Sequence, residues 1–470
     1  MIDKRTYPSY FLIGPFRPVH EEVIVERLPV TGTLPSDLQG LFVRCAPNPA
    51  FAPRTAYHPF DGDGMLHGVR LQGGAASYRN RYVRTAAAEA DRRAGRWLGP
   101  SLMGPPDLAE VDAGRMPYRN TGNTSLVVHH GRALALCDFG PPHEIVLPTL
   151  ATRGLYAIDG EPGEPCGSHP RIDPVTGELC FVRYRLGPRP FVTYGVLDRD
   201  GRLVHRTGID TERPGMMHSF ALTARHAVFF EQPLYFDAER ARRGGSGWVY
   251  DAALPLRIAV LGRRSPGDQI RWYTAASACV PHLVNAYEDD GEVVITGMRF
   301  PQPPDVLRFD QPGAGEPGGD AAVLYSWHVD LASGVVREQA RGRASGEWPR
   351  MNDDFMGRRA RYVYCASDRP VSGVVKHDLA TGRETLHTDG TGRYGGEAVF
   401  VPRREANEED DGYLLTYVWD SRANRSELVV LDARHVDAPP LARVHLPVRV
   451  PAGFHGTWIE SSVLDALAAS

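Results

Sequence analysis

No run of roughly 18 to 20 uninterrupted apolar residues occurs in the 470-residue chain, so the sequence contains no candidate membrane-spanning helix. The amino-terminal stretch MIDKRTYPSYFLIGPF breaks its apolar run with Pro and Gly and lacks the core of a secretory signal, which makes the cytoplasm the expected compartment. Blocks of like charge are also missing. The 53 Lys and Arg and 57 Asp and Glu are interspersed, a net charge of -4 that calls for no nucleic-acid partner. Six cysteines (Cys45, Cys137, Cys166, Cys180, Cys279, Cys365) form no C-x-x-C pair, and their scatter reads as free buried thiols. G-x-S-x-G, H-E-x-x-H and P-loop patterns are absent, which removes the commonest hydrolase, zincin and nucleotide-dependent readings. One G-x-G-x-x-G match, Gly313 to Gly318, leads into strand-like Val323 to Trp327, whereas a dinucleotide site needs a helix there; it reads as a loop.

Turn formers are plentiful. About a fifth of the residues are Gly or Pro, and Asp-Gly pairs recur at Asp61, Asp63, Asp159, Asp200, Asp290 and Asp411. Between turns lie short runs rich in Val, Ile, Tyr and Phe, such as Glu178 to Tyr184, His226 to Phe230, Glu292 to Thr296 and Gly412 to Val418, which predict strands. A hairpin of form Asp-x-x-(Ser/Thr)-Gly appears at Asp173, Asp330 and Asp378. The last two are 48 residues apart, close to the spacing of propeller blades. A length of 470 favours several domains unless the architecture is a large all-β array, and the repeated hairpin favours the array. The expectation is one domain over residues 1–470, with the stretch from Gln311 to Gly319 and the acidic tip from Glu405 to Asp411 as loops within it.

The chemistry must then come from dispersed residues. Among 17 histidines, His169, His218 and His282 each precede a strand-turn-strand by a similar interval, which in a propeller puts them near one level of an innermost strand. His455, in Pro451-Ala-Gly-Phe-His-Gly-Thr457, lies on the last segment, where a propeller commonly closes. Spacing alone leaves these as either converging ligands or satisfied core histidines.

Motifs along the chain resemble those of the carotenoid cleavage oxygenases. They are Gly40-Leu-Phe-Val-Arg44 with Pro47-Asn48-Pro49, His58-Pro-Phe60-Asp61-Gly62-Asp63-Gly64-Met65, Asn123-Thr124-Ser125, Ser168-His169-Pro, Met216-Met217-His218, Pro281-His282-Leu-Val-Asn285, Gly396-Glu397-Ala-Val-Phe400 and Phe454-His455-Gly456. The resemblance runs from about Tyr10 to the end in the family's order. It implies an all-β, seven-bladed β-propeller with a lid of loops and short helices over the iron-bearing face. It further implies Fe(II) held by His169, His218, His282 and His455; ligand type alone would also admit zinc or copper. The matching positions for carboxylates that orient three of these imidazoles are Asp138, Glu347 and Glu397. Asp138 stands where the family has Glu, one methylene longer, so its contact is expected to be longer, water-bridged or missing. Thr124 matches a threonine whose methyl crowds one open iron position. The Phe60 to Met65 string reads as turn-shaping rather than chemical.

The implied reaction joins dioxygen to an apolar conjugated alkene and releases two carbonyl products, with no organic cofactor. Carotenoid or apocarotenoid cleavage, stilbene or phenylpropanoid cleavage, and isomerisation all occur in the family. A non-catalytic binding propeller is the competing class, and loss of a ligand histidine would favour it; none is lost. Stilbene-cleaving relatives engage the phenol with a Lys and a Tyr, and here Cys137 and Leu102 stand at those positions, which favours an apolar polyene. Peripheral membrane contact and oligomeric state stay open, with Phe191 to Leu197 and Trp248 to Leu256 as the candidate membrane-facing segments.

Overall fold

The computed structural model describes residues 10–53, 57–158, 160, 163–307, 309, 321–367 and 372–469. The Gly313 to Gly318 match and the loop from Gln311 to Gly319 lie outside these residues.

Seven antiparallel sheets surround one axis. Blade 2 contains Ser125–His129, Arg132–Cys137, Gly140–Val146 and Ala151–Leu155 in spatial order, innermost first; blade 3 contains Arg171–Ile172, Leu179–Tyr184, Val192–Leu197 and Leu203–Ile209. Blade 4 begins with Phe220–Leu222 and His226–Glu231, blade 5 with Leu283–Asp289 and Glu292–Arg299, blade 6 with Glu347–Arg350 and Tyr362–Ser367, and blade 7 with Val399–Pro402 and Gly412–Asp420. In blade 1 the innermost strand is the carboxy-terminal Gly456–Glu460, paired with Gly40–Pro47 in a register that sets Gly40 opposite Glu460 and Arg44 opposite Gly456. Val30–Gly32 adds to the outer edge of blade 7 through Ala442–His445. Both seam blades therefore join segments from opposite ends of the chain, so closing the ring uses up strand edges that would otherwise be left unpaired.

The alternation of apolar residues explains the packing. Tightly buried strands such as Val192–Leu197 and Gly40–Pro47 place one face against each neighbouring blade, so they read as near-continuous apolar runs. The outer strands, Ala151–Leu155 and Val336–Ala340, alternate exposed and half-buried residues.

An up-and-down blade imposes a rule on its connections. The chain reaches the first strand on one face of the ring, and an even number of reversals later the link between second and third strands returns to that face. The three Asp-x-x-(Ser/Thr)-Gly hairpins join first to second or third to fourth strands, and so fall on the opposite face. The long connections, of which residues 48–53, 57–63, 83–124 and 232–255 are described, all belong to the first face. They carry the short helices Ala86–Ala94, Leu108–Asp112 and Ala238–Arg242 and form the lid. Within it, Arg119 bridges buried Asp63 at 2.7 Å and Asp91 at 2.9 Å, tying the lid helix to blade 1.

One expectation about a particular segment needs correction. Val192–Leu197 is an interior strand with all six residues buried, so it is not a membrane-facing surface, whereas in Trp248 to Leu256 only the two ends are buried and Ala252, Ala253 and Pro255 are exposed. The apolar character of Val192–Leu197 serves blade packing. Among the described residues no helix is long and apolar enough to cross a membrane.

Candidate metal centre

Each blade places one residue of interest at the start of its innermost strand. In chain order these are Thr124 before Ser125–His129, His169 before Arg171–Ile172, His218 before Phe220–Leu222 and His282 before Leu283–Asp289. Glu347 follows as the first residue of Glu347–Arg350, then Glu397 before Val399–Pro402 and His455 before Gly456–Glu460. The sequence reading set the histidines near one level of the innermost strands; they sit one or two residues ahead of them, where the strand bundle opens toward the lid.

The four imidazoles meet. One ring nitrogen from each lies within 4.8 Å of those of the other three, and Nε2 of His169 and Nε2 of His218 are 3.0 Å apart. The rings stand edge-on to one another, with centroids 4.4 Å apart for His169 and His455 and 5.1 Å for His282 and His455.

The predicted carboxylates lie behind three of them. His218 donates from Nδ1 to Asp138 Oδ2 at 2.6 Å, and His455 from Nδ1 to Glu397 Oε1 at 2.9 Å. His282 Nδ1 is 3.0 Å from Glu347 Oε1, but the groups are out of hydrogen-bond alignment, and the other Glu347 oxygen accepts from the Trp348 N–H. The expectation that the shorter Asp138 would fall short is corrected. Asp138 sits in the link between the second and third strands of blade 2, on the same face as the histidines, and a bulge between Ala135 and Cys137 re-aims the chain just ahead of it. Its carboxylate also accepts from the hydroxyls of Ser168 and of Tyr184, the latter at 3.1 Å. Sequence reasoning had missed both. Ser168 could have been suspected as the neighbour of His169, whereas Tyr184, on another strand, gave no local signal.

Electrostatics prepare the site for a cation. Burial pushes His169 well below the ordinary histidine value, and its three imidazole neighbours push the same way; burial also lowers His455 against the pull of Glu397. Burial alone would raise Asp138, but the His218 imidazole and three hydrogen bonds hold it below the usual carboxylate value. Glu397 is likewise held down against burial, by His455, Arg350 and the Gly456 N–H. Because the Nδ1 protons of His218 and His455 are committed to carboxylates, the lone pairs of their Nε2 atoms face the axis. His282 Nε2 is buried with no hydrogen-bond partner. Converging lone pairs repel unless a cation lies among them, so the donor set fits a divalent first-row metal.

Two arms of rings leave this centre. Phe60 stacks on His218 with centroids 6.4 Å apart; His58 lies 4.6 Å from Phe60, Phe309 5.1 Å from His58, and Trp248 5.4 Å from Phe309. On the other side Phe139 follows Asp138 directly, and Tyr118 lies 5.0 Å from it. The rest of the Phe60 to Met65 turn is scaffold: Asp61 accepts from Ser101 Oγ and Leu102 N, and a side chain on Gly64 would collide with the Gly122 carbonyl. Thr124 Oγ1 donates to Asn123 at 3.0 Å, and the Thr124 carbonyl accepts from the His455 N–H. Cys137 donates to Asn120 Oδ1, and Leu102 is fully buried.

Residues 16–460 match the family model described as retinal pigment epithelial membrane protein. The chain is 34% identical to the carotenoid 9,10(9',10')-cleavage dioxygenase of Crocus sativus, over 98% of this chain and 91% of that one. Its structure superposes on the lignostilbene dioxygenase of Pseudomonas brassicacearum with a TM-score of 0.87 and 30% identity, covering 96% of this chain and 98% of that one. On cobalt-substituted Synechocystis apocarotenoid oxygenase the TM-score is 0.83 at 28% identity, with 94% and 96% covered. The strand-start histidines, the lid on their face and these likenesses along nearly the whole length agree: the chain is a dioxygenase of the carotenoid cleavage oxygenase family.

Proposed function

We propose that the chain is an Fe(II)-dependent dioxygenase that cleaves a conjugated carbon-carbon double bond of a carotenoid or apocarotenoid to two carbonyl products. The observation that carries this reading is the convergence of His169, His218, His282 and His455, with one ring nitrogen of each within 4.8 Å of those of the others. Fe(II) bound there would supply dioxygen activation. Asp138 and Glu397 keep the Nδ1 protons of His218 and His455 in place and so fix tautomer and ring angle, with Glu347 beside His282. Phe60, stacked on His218, packs against Phe454 with centroids 5.4 Å apart. Thr124 turns its hydroxyl to Asn123, and by the resemblance its methyl would crowd one open iron position. Residues 1–470 act as one domain, a reading supported by the seams that join both chain ends. Six free, buried cysteines favour a reducing compartment such as the cytoplasm.

The name of the Crocus relative and the absence of a cation or phenol at Cys137 and Leu102 favour a polyene. The likeness to the lignostilbene dioxygenase supports a second reading, cleavage of a stilbene or other phenylpropanoid alkene. Product analysis after incubating iron-loaded protein in air with apocarotenoids and with a 4-hydroxystilbene separates them. Paired carbonyl fragments from an apocarotenoid are the expected result. Turnover of the stilbene alone overturns the substrate, and no turnover of either, with iron bound, overturns the cleavage reading.

A further inference from the structure

Where the two arms of rings meet, Tyr118 and Trp248 make a polar contact in an otherwise apolar wall. The Trp248 indole N–H donates to the Tyr118 hydroxyl oxygen at 3.0 Å. A phenol has one proton of its own to give, and among the described residues no group accepts it and the Trp248 indole is the hydroxyl's one hydrogen-bond partner. Tyr118 is only 8% exposed and Trp248 1%, so water does not readily replace the missing acceptor. Burial pushes the Tyr118 pKa upward, which keeps the group a neutral donor. Its surroundings are apolar: Phe139 at 5.0 Å on one side, and Phe309 packed on Trp248 at 5.4 Å on the other. The arms lead back to Asp138 and His218, so the Tyr118 hydroxyl ends a run of ring contacts that begins at the metal centre.

We infer that Tyr118 is a substrate-binding residue that donates a hydrogen bond to an oxygen atom on the end group of the polyene, a ring hydroxyl or a terminal carbonyl. Trp248 holds the phenol by occupying its acceptor lone pair, which leaves the proton to point at the ligand. A fixed donor in an apolar wall sets how far the chain slides in, and so which double bond comes to rest at the axis. Discrimination follows because an oxygen that pairs with Tyr118 satisfies both groups, while a hydrocarbon end leaves the hydroxyl unpaired. This rests on the alkene-cleavage reading for its ligand class.

The test is binding under nitrogen, read as quenching of intrinsic tryptophan fluorescence, with a polyene hydrocarbon and its terminal-aldehyde and ring-hydroxyl counterparts of equal length. The wild type is expected to prefer at least one oxygenated ligand. Tyr118→Phe should raise the Kd for that ligand about three- to tenfold and leave the hydrocarbon unchanged. Trp248→Phe, which keeps the phenol, should retain the preference, and the double variant should lose it, which separates hydrogen bonding from packing damage. Equal weakening of all ligands, no change in Tyr118→Phe, or a wild type without preference overturns the inference. Binding preference without cleavage in air overturns the proposed reaction and leaves this assignment standing.

Discussion

Substitution of Asp138 tests how the centre is held. Its carboxylate accepts from three buried donors: Oδ2 from His218 Nδ1 and Tyr184 Oη, and Oδ1 from Ser168 Oγ. Asp138→Ala removes the acceptor for all three. At about 1 to 3 kcal/mol for each buried donor left unpaired, partly recovered by relaxation, the fold should lose about 3 to 5 kcal/mol. His218 also loses the partner that fixes its tautomer, and metal affinity should drop about 100-fold. Asp138→Asn is milder. Its amide oxygen can stay at the Oδ2 position and keep His218 and Tyr184, while its NH2 faces Ser168, whose hydroxyl can turn to accept; only the charge assistance is lost. The expected cost is about 1 to 2 kcal/mol, with metal affinity down about tenfold. Asp138→Glu adds a methylene to a carboxylate already in direct contact and should cost about 1 to 3 kcal/mol by overpacking, although Glu is the family residue there. Metal competition against a chelator and urea midpoints read both quantities. An Asp138→Ala protein that binds metal as tightly as the wild type would refute the reasoning.

The remaining predictions concern the metal, a buried ion cluster and pH. Elemental analysis should find about one iron per chain, lost on chelation, and alanine at His169, His218, His282 or His455 should each lower that content by at least about tenfold. Unchanged iron in all four variants would show that the metal binds elsewhere. Arg119→Met strands the buried Asp63 and Asp91 carboxylates and should lower stability by about 3 to 5 kcal/mol in denaturant melts; a change within about 0.5 kcal/mol would show that these charges are not held by Arg119. Burial raises Asp61 from 3.8 to about 6, against its hydrogen bonds from Leu102, Ser101 and His58. A raised value means that its stabilisation is complete below the ordinary value and lost as pH rises through about 6. The stability of wild type relative to Asp61→Asn should therefore fall by roughly 2 to 3 kcal/mol between pH 4 and 7, and a flat difference across that window would contradict the assignment.

The sequence by itself determined the elements and the order in which the chemistry appears. Asp-Gly turns and short Val/Ile/Tyr/Phe runs are local signals, and they were enough to mark blades because an up-and-down blade is made of neighbouring strands joined by tight turns. The histidines were legible only in part: spacing set His169, His218 and His282 near one level of the blades but left them as either ligands or core residues. The resemblance added their ligand role, the metal, and the carboxylates by position. Only the tertiary structure decided which carboxylate serves which imidazole, since Asp138 meets His218 across blades 80 residues apart in sequence. It also decided that a side chain one methylene short still reaches, through a bulge in its own strand, and that Val192–Leu197 is interior rather than membrane-facing. The Tyr118 and Trp248 pair, 130 residues apart, had no sequence signature at all. Periodicity and turn chemistry act over a few residues and are written locally. The pairing of distant polar groups depends on how a closed ring brings separate connections onto one face, and that is fixed only when the last strand, Gly456–Glu460, joins Gly40–Pro47 and the circle closes.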